Sequence, residues 1–250
     1  MDMELKNRFA DLWNRYFNGS DLPITFFYSN DESDATRVSP PKGHQCIIGV
    51  LSRVFKGRSL CFDSEAIGCA GARRYLGFNK DIMPDFEYFL SCGIAGKLEG
   101  ERYKKTPEMV NEVMTRIPFC EAPARYIVFK RWDMLDENDP PEVVIFFARP
   151  DVLSGLFTIA GFDETDLNAV MAPFGAGCAG IVHYPFLEKS SMHPRCILGM
   201  FDVSARPFVP KDSLSFAVPM PKFVQIIENM EESFLITPSW GKVRKRLSNS

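Results

Sequence analysis

The tetrapeptide Gly68-Cys69-Ala70-Gly71 returns as Gly177-Cys178-Ala179-Gly180, and a tyrosine follows each copy at the same distance, Tyr75 and Tyr184. A glycine-flanked cysteine used twice in one chain points to a structural unit used twice. Upstream, Pro40-Pro41 and Pro140-Pro141 share one offset with Phe62 and Phe162, so the two stretches stay in step before slipping within "DETDLNAVMAPFGA". An insertion of one or two helical turns explains the slip. Downstream, "YFLSCGIAGKLEG" and "HPRCILGMFDVSA" each place a cysteine in a strand-like run of small residues, followed by a polar loop and an amphipathic helix, "TPEMVNEVMTRI" or "MPKFVQIIENMEESF". The reading is an internal duplication of a unit of about 100 residues. An N-terminal helix occupies 1–20, a first α+β repeat 21–120 and a second 121–250, packed together as one globular unit about an approximate twofold axis.

Within this scheme, Ile24 to Tyr28 and Tyr126 to Lys130 are short β-branched and aromatic runs, hence strands, each leading through an acidic turn to a double proline. Val143 to Phe147 is a third run of strand length, and Arg149-Pro150-Asp151 starts a helix over "VLSGLFTIAG". Cys46 to Phe55 is its counterpart in the first copy and is less clearly divided. Leu5, Phe9, Leu12, Trp13 and Tyr16 recur at helical spacing, and Asn18-Gly19 marks the end of that helix. The fold class is α+β, two related halves with mixed sheets and packed helices. Phenylalanine, 22 of 250 residues, supplies much of the core. The basic tail "GKVRKRLSNS" after Trp240 reads as a solvated C-terminus finishing a helix.

A net charge of −3 leaves no basic footprint for nucleic acid. Charged residues interrupt every apolar run well short of the roughly 18 residues that suggest a membrane span. The acidic, polar N-terminus differs from a secretory signal, so the expected location is cytoplasmic. Seven cysteines without a C-x-x-C pair do not read as a disulfide scaffold, and in a reducing compartment most such thiols are small buried hydrophobes.

The succession "CAGARRYLGF", "VIFFARPDVLSGLFTIAGF", "APFGAGCAGIVHYP", "CILGMFDVSAR" and "LSFAVPMPKF" resembles the domain-of-unknown-function family 169 from about Pro23 to Arg246. The resemblance implies a prokaryotic, archaeal or bacterial, soluble protein, often from anaerobes, with one conserved architecture and no established activity.

Glycine beside cysteine permits close backbone approach and tolerates a positive φ. If "AGARRYL" or "AGIVHYP" begins a helix, the aligned amides favour a thiolate and can hold an anion, and Arg73 and Arg74 add positive field around Cys69. Three readings stand side by side: a small-residue packing strip, two loops converging on a shared ligand or metal, and a cysteine nucleophile. The nucleophile is the weakest on geometry. Of His44, His183 and His193, the nearest in sequence, His183, lies about 140° round an ideal helix from Cys178. Gly175-x-Gly177-x-x-Gly180 matches only the bare dinucleotide glycine spacing and lacks the lysine of a phosphate loop. Asp202, with Arg206 four residues on, reads as a structural ion pair.

The expectation is a small-molecule or metal ligand held by Gly68, Cys69, Gly71, Arg73, Arg74, Gly175, Gly177, Cys178 and Gly180, with Cys46, Cys61, Cys69 and Cys178 as the metal ligands. Its leading form is a cofactor or metal centre with a redox role, an iron–sulfur cluster being the specific candidate. The alternative is a non-redox binding module for a small anionic metabolite, with Arg149 and Arg206 as further counter-charges.

Overall fold

Runs of β-branched and aromatic residues form strands where they find partners, and the three runs expected from the sequence all join one sheet. The computed structural model describes residues 1–247; residues 248–250, the end of the basic tail, lie outside the described residues. The strands are β1 (Ile24–Ser29), β2 (Thr36–Arg37), β3 (Leu60–Phe62), β4 (Tyr126–Arg131), β5 (Val143–Ala148), β6 (Val170–Met171), β7 (Cys196–Gly199) and β8 (Leu214–Pro219). They form a single mixed sheet of order β2-β3-β4-β1-β5-β8-β7-β6. The outermost pairs, β2 with β3 and β6 with β7, are parallel, and the other neighbours are antiparallel.

The helices are α1 (Met3–Tyr16), α2 (Ile47–Phe55), α3 (Ala70–Tyr75), α4 (Phe86–Phe89), α5 (Pro107–Thr115), α6 (Pro150–Ala160), α7 (Tyr184–Glu188), α8 (Met220–Asn229) and α9 (Pro238–Leu247); a π-helix, Ala179–His183, runs directly into α7. Asp2 caps α1, its carboxylate accepting from the Glu4 and Leu5 amides. The helix buries Phe9, Leu12, Trp13 and Tyr16, the stripe its spacing predicts. Proline at the start of α6 fits the Arg149-Pro150-Asp151 signal.

The sheet separates two cores. Helices α1, α6, α8 and α9 cover one face, where the Phe9 ring meets Trp132 and Phe223, each at 4.9 Å. Helices α2 and α3 and the π-helix cover the other through Ile48, Leu51, Ala72, Tyr75, Ile181 and Val182. This is an α+β architecture with helices on both sides of a mixed sheet.

The register of the letter repeat is not the register of the structure. β1 and β4, which the letters equate, are antiparallel neighbours with Phe27 opposite Val128. The Cys46 to Phe55 stretch, equated with the strand β5, forms α2. Of the two downstream cysteine runs, "CILG" is β7, whereas residues 88–100 hold the end of α4 and a loop closed by a bridge between Ile94 and Leu98. Short apolar runs carry no decisive period, so packing decides between helix and strand. The strand order does read alike outward from the β1–β5 pair, through β4, β3 and β2 on one side and β8, β7 and β6 on the other. β4 sits between β1 and β3, so the two groups of strands divide between Arg131 and Val143.

Candidate thiol site

Three cysteines stand directly before helices on one face of the sheet: Cys46 before α2, Cys69 before α3 and Cys178 before the π-helix. Cys46 and Cys178 occupy matching places. Each begins the helix that crosses from an edge strand to its parallel neighbour, β2 to β3 in one case and β6 to β7 in the other. Cys69 follows β3 instead, so the topological counterpart of Cys178 is Cys46 and not the cysteine that shares its tetrapeptide.

Backbone contacts draw the three together. The Gln45 amide donates to the Gly68 carbonyl at 3.4 Å, tying the residues that precede Cys46 and Cys69. A Cβ on Gly68 would stand 2.6 Å from Pro41 Cγ and 2.9 Å from the Gly43 carbonyl oxygen, so only glycine lets this segment in. α3 in turn packs on the π-helix, with the Tyr75 and His183 rings 5.6 Å apart at 64°. On the far side, the Gly177 amide donates to Asp202 Oδ2 at 2.9 Å, and a Cβ there would meet Ala205 Cβ at 2.9 Å. Gly175 lies against the Tyr184 ring, Gly180 against Gly199, and Gly71 only near Cys69 Sγ. None of these glycines has a positive φ, so close approach, not a left-handed turn, is what they supply.

Cys178 is enclosed, and Cys46 and Cys69 are half-buried. Burial, then the neighbouring Cys69 and Cys46 thiols and Asp202, pushes the Cys178 thiol well above its ordinary range. Burial also raises Cys46, against the pull of the Ile48 and Gly49 amides, with Cys69 and Asp202 adding to the rise. The three thiols are therefore within electrostatic reach of one another. They do not form a group within 4.8 Å.

Cys61, expected as the fourth metal ligand, is elsewhere. It lies in β3 with its side chain in the opposite core, while its neighbours Leu60 and Phe62 face the thiol side. Side chains alternate along a strand, and this one points away. Burial, then Glu32 and Asp63, pushes its thiol up to about 11. The arginines are also committed. Arg73 Nε donates to the Ile67 carbonyl at 2.7 Å, and Arg74 donates to the carbonyls of Lys80 and Ile117 and lies over the Phe119 ring. α3 is only six residues long, so the aligned amides expected to favour a Cys69 thiolate are few. Arg149 pairs with Asp212.

Asp202 does not pair with Arg206. Its carboxylate accepts from Gly177 N, Tyr103 Oη, Ser204 N and Ser204 Oγ, fastening the glycine loop to the loop that carries Tyr103. Arg206 donates to the Ser213, Pro210 and Lys211 carbonyls. Tyr103, in a polar loop, gives no signal in the sequence. His44 and His193 are exposed. His183 is 3% exposed, its Nε2 has no hydrogen-bond partner, and burial, then Arg74, lowers its pKa to about 4. The π-helix also alters the angular relation to Cys178, because with i→i+5 geometry a residue five positions on comes round by about one turn.

A family model, DUF169, described as uncharacterised ArCR, matches residues 19–229. The chain belongs to the DUF169 family. No curated protein and no solved structure matches it. The DUF169 match spans all eight strands and the three thiols. Among its described residues, one group of three ligand-type side chains lies within 4.8 Å, Asp34, Asp136 and Asp139. The buried Lys130 ammonium pairs with all three, taking the place a cation would fill. No helix among the described residues is long and apolar enough to cross a membrane.

Proposed function

We propose that this DUF169 protein holds a thiolate-bound metal centre, an iron–sulfur cluster with a redox role, on Cys46, Cys69 and Cys178. The observation that carries the reading is the convergence of three thiols from three separate helix starts on one face of the sheet. Soft thiolates select zinc, copper(I) or iron–sulfur centres. Thiolates around one zinc ion at about 2.3 Å lie about 3.8 Å apart, tighter than this trio, whereas a cluster spreads its ligands more widely. All seven cysteines are free, in keeping with a reducing, cytoplasmic setting. The like strand order on the two sides of β1–β5 supports descent by duplication, in a register that equates Cys46 with Cys178. The alternative, a non-redox site for an anionic metabolite, has less behind it, because Arg73 and Arg74 are already spent on backbone carbonyls.

Iron and sulfide analysis of anaerobically purified protein, with an absorption spectrum, tests the reading. Stoichiometric iron and sulfide, lost in Cys46→Ala, Cys69→Ala and Cys178→Ala but retained in Cys61→Ala, is the expected result. A colourless protein that takes up neither on reconstitution overturns it.

A further inference from the structure

A cavity of about 460 Å³ lies at the end of the sheet where β2 and β3 finish and β4 begins. Arg37, the last residue of β2, Asp63 and Glu65 just after β3, Phe78 after α3, and Glu121 and Arg125 before β4 border it. The volume is in the range of small-molecule sites, about 300–1,000 Å³. Cys46, Cys69 and Cys178 are not in its lining, so this site is independent of the metal-centre reading.

Backbone contacts build its wall. The Ala122 amide donates to the Gly77 carbonyl at 2.9 Å, and Gly77 sits in the left-handed region with φ +81°. A Cβ there would stand 2.4 Å from the Ala122 nitrogen and 2.6 Å from the Cys120 carbonyl oxygen, so only glycine closes this side. Across the cavity, the Arg125 amide donates to Asn30 Oδ1 at 3.2 Å, and the Arg125 guanidinium lies over the Tyr126 ring, 5.0 Å from its centroid.

The charges around the cavity divide into a spent pair and three that are unspent. The buried Asp63 carboxylate accepts from the Arg37 guanidinium and from the Glu65 and Ala66 amides, so Arg37 and Asp63 neutralise each other. The Arg125 guanidinium and the Glu65 and Glu121 carboxylates make no hydrogen bond or ion pair with any described residue. They are exposed, opposite in sign and on one cavity, yet they do not pair with one another. A ligand that carries both signs matches them. A carboxylate accepts two parallel bonds from a guanidinium fork, and an ammonium has three donors to share between two carboxylates. Phe78, half-buried, adds an apolar surface to the lining.

We propose that this cavity binds an α-amino acid with an apolar side chain, its carboxylate on Arg125, its ammonium between Glu65 and Glu121, and its side chain against Phe78. Binding is non-covalent, with no bond made or broken.

The test is isothermal titration of the full chain with L-phenylalanine and L-leucine, and with two analogues of the first, 3-phenylpropanoate, which lacks the ammonium, and phenethylamine, which lacks the carboxylate. The wild type is expected to bind both amino acids saturably and each analogue at least tenfold more weakly than L-phenylalanine, the loss of one charge-assisted contact. Arg125→Met is expected to weaken L-phenylalanine about tenfold without weakening phenethylamine. The double variant Glu65→Gln, Glu121→Gln is expected to weaken L-phenylalanine by as much without weakening 3-phenylpropanoate. Both variants should keep the wild-type circular dichroism, because the side chains they change are exposed and unpaired. No saturable heat with either amino acid overturns the site. Analogues that bind as tightly as L-phenylalanine overturn the zwitterionic ligand, and unchanged L-phenylalanine affinity in Arg125→Met overturns the place of its carboxylate.

Discussion

At the scale of single residues, the buried ionisable groups fall into two kinds, those that are paired and those that are kept neutral. Lys130, fully enclosed, is met by Asp34, Asp136 and Asp139, and Lys222, equally enclosed, by Asp163 and Glu164. His183 has no such partner and is held neutral, with a pKa of about 4 against an ordinary 6.5. The unfolded chain binds a proton between those values that the folded chain refuses, so this contribution to stability is full above pH 6.5 and is lost as pH falls toward 4. It amounts to at most about 3 kcal/mol. Denaturant unfolding at a series of pH values should show a steeper acid loss of stability in the wild type than in His183→Phe. Parallel curves would mean that the imidazole is not buried neutral. Cys69 and Cys178 were legible from their glycine neighbours, but the partners of His183 and Tyr75 were not, since nothing local in the sequence says what will pack against a ring.

At the scale of elements, the glycine motifs matter through what they let approach. Gly68 admits the segment from Pro41 to Gln45, and that segment delivers Cys46 to the start of α2. Gly68→Ala drives a Cβ into Pro41 and the Gly43 carbonyl, and should cost about 1–3 kcal/mol. It should also lower iron retention by moving Cys46 away from Cys69, measured by thermal unfolding together with iron content. Gly71→Ala, with only the Cys69 sulfur nearby at 3.8 Å, is the comparison expected to unfold near the wild-type temperature. The expected helix starts at Ala70 and after Cys178 both formed, but the second opens as a π-helix. That widening depends on how tightly the segment seats against β7 and β8, which no local period encodes.

At the scale of the whole molecule, the sheet is closed by long-range pairing. β4 hydrogen-bonds with both β1 and β3, so a fragment ending at residue 120 leaves both without their common neighbour. Such a fragment should show no cooperative unfolding by circular dichroism and no dispersed amide spectrum; a cooperative transition would mean that the first three strands form a unit of their own. The sequence alone determined the mixed helix and strand content, the α1 stripe, the strands β1, β4 and β5 and the start of α6, and it singled out Cys46, Cys61, Cys69 and Cys178 as residues to watch. Those follow from side-chain periodicity, proline and glycine geometry, and thiol chemistry, all of which act over a few residues. Only the tertiary structure decided which thiols share a face of the sheet. Cys61 is closer to Cys69 in sequence than either Cys46 or Cys178, yet one step of strand alternation sends it to the opposite core. Cys178, more than a hundred residues from Cys69, is brought to the same side because α3 and the π-helix bury their apolar sides against the same face of one sheet.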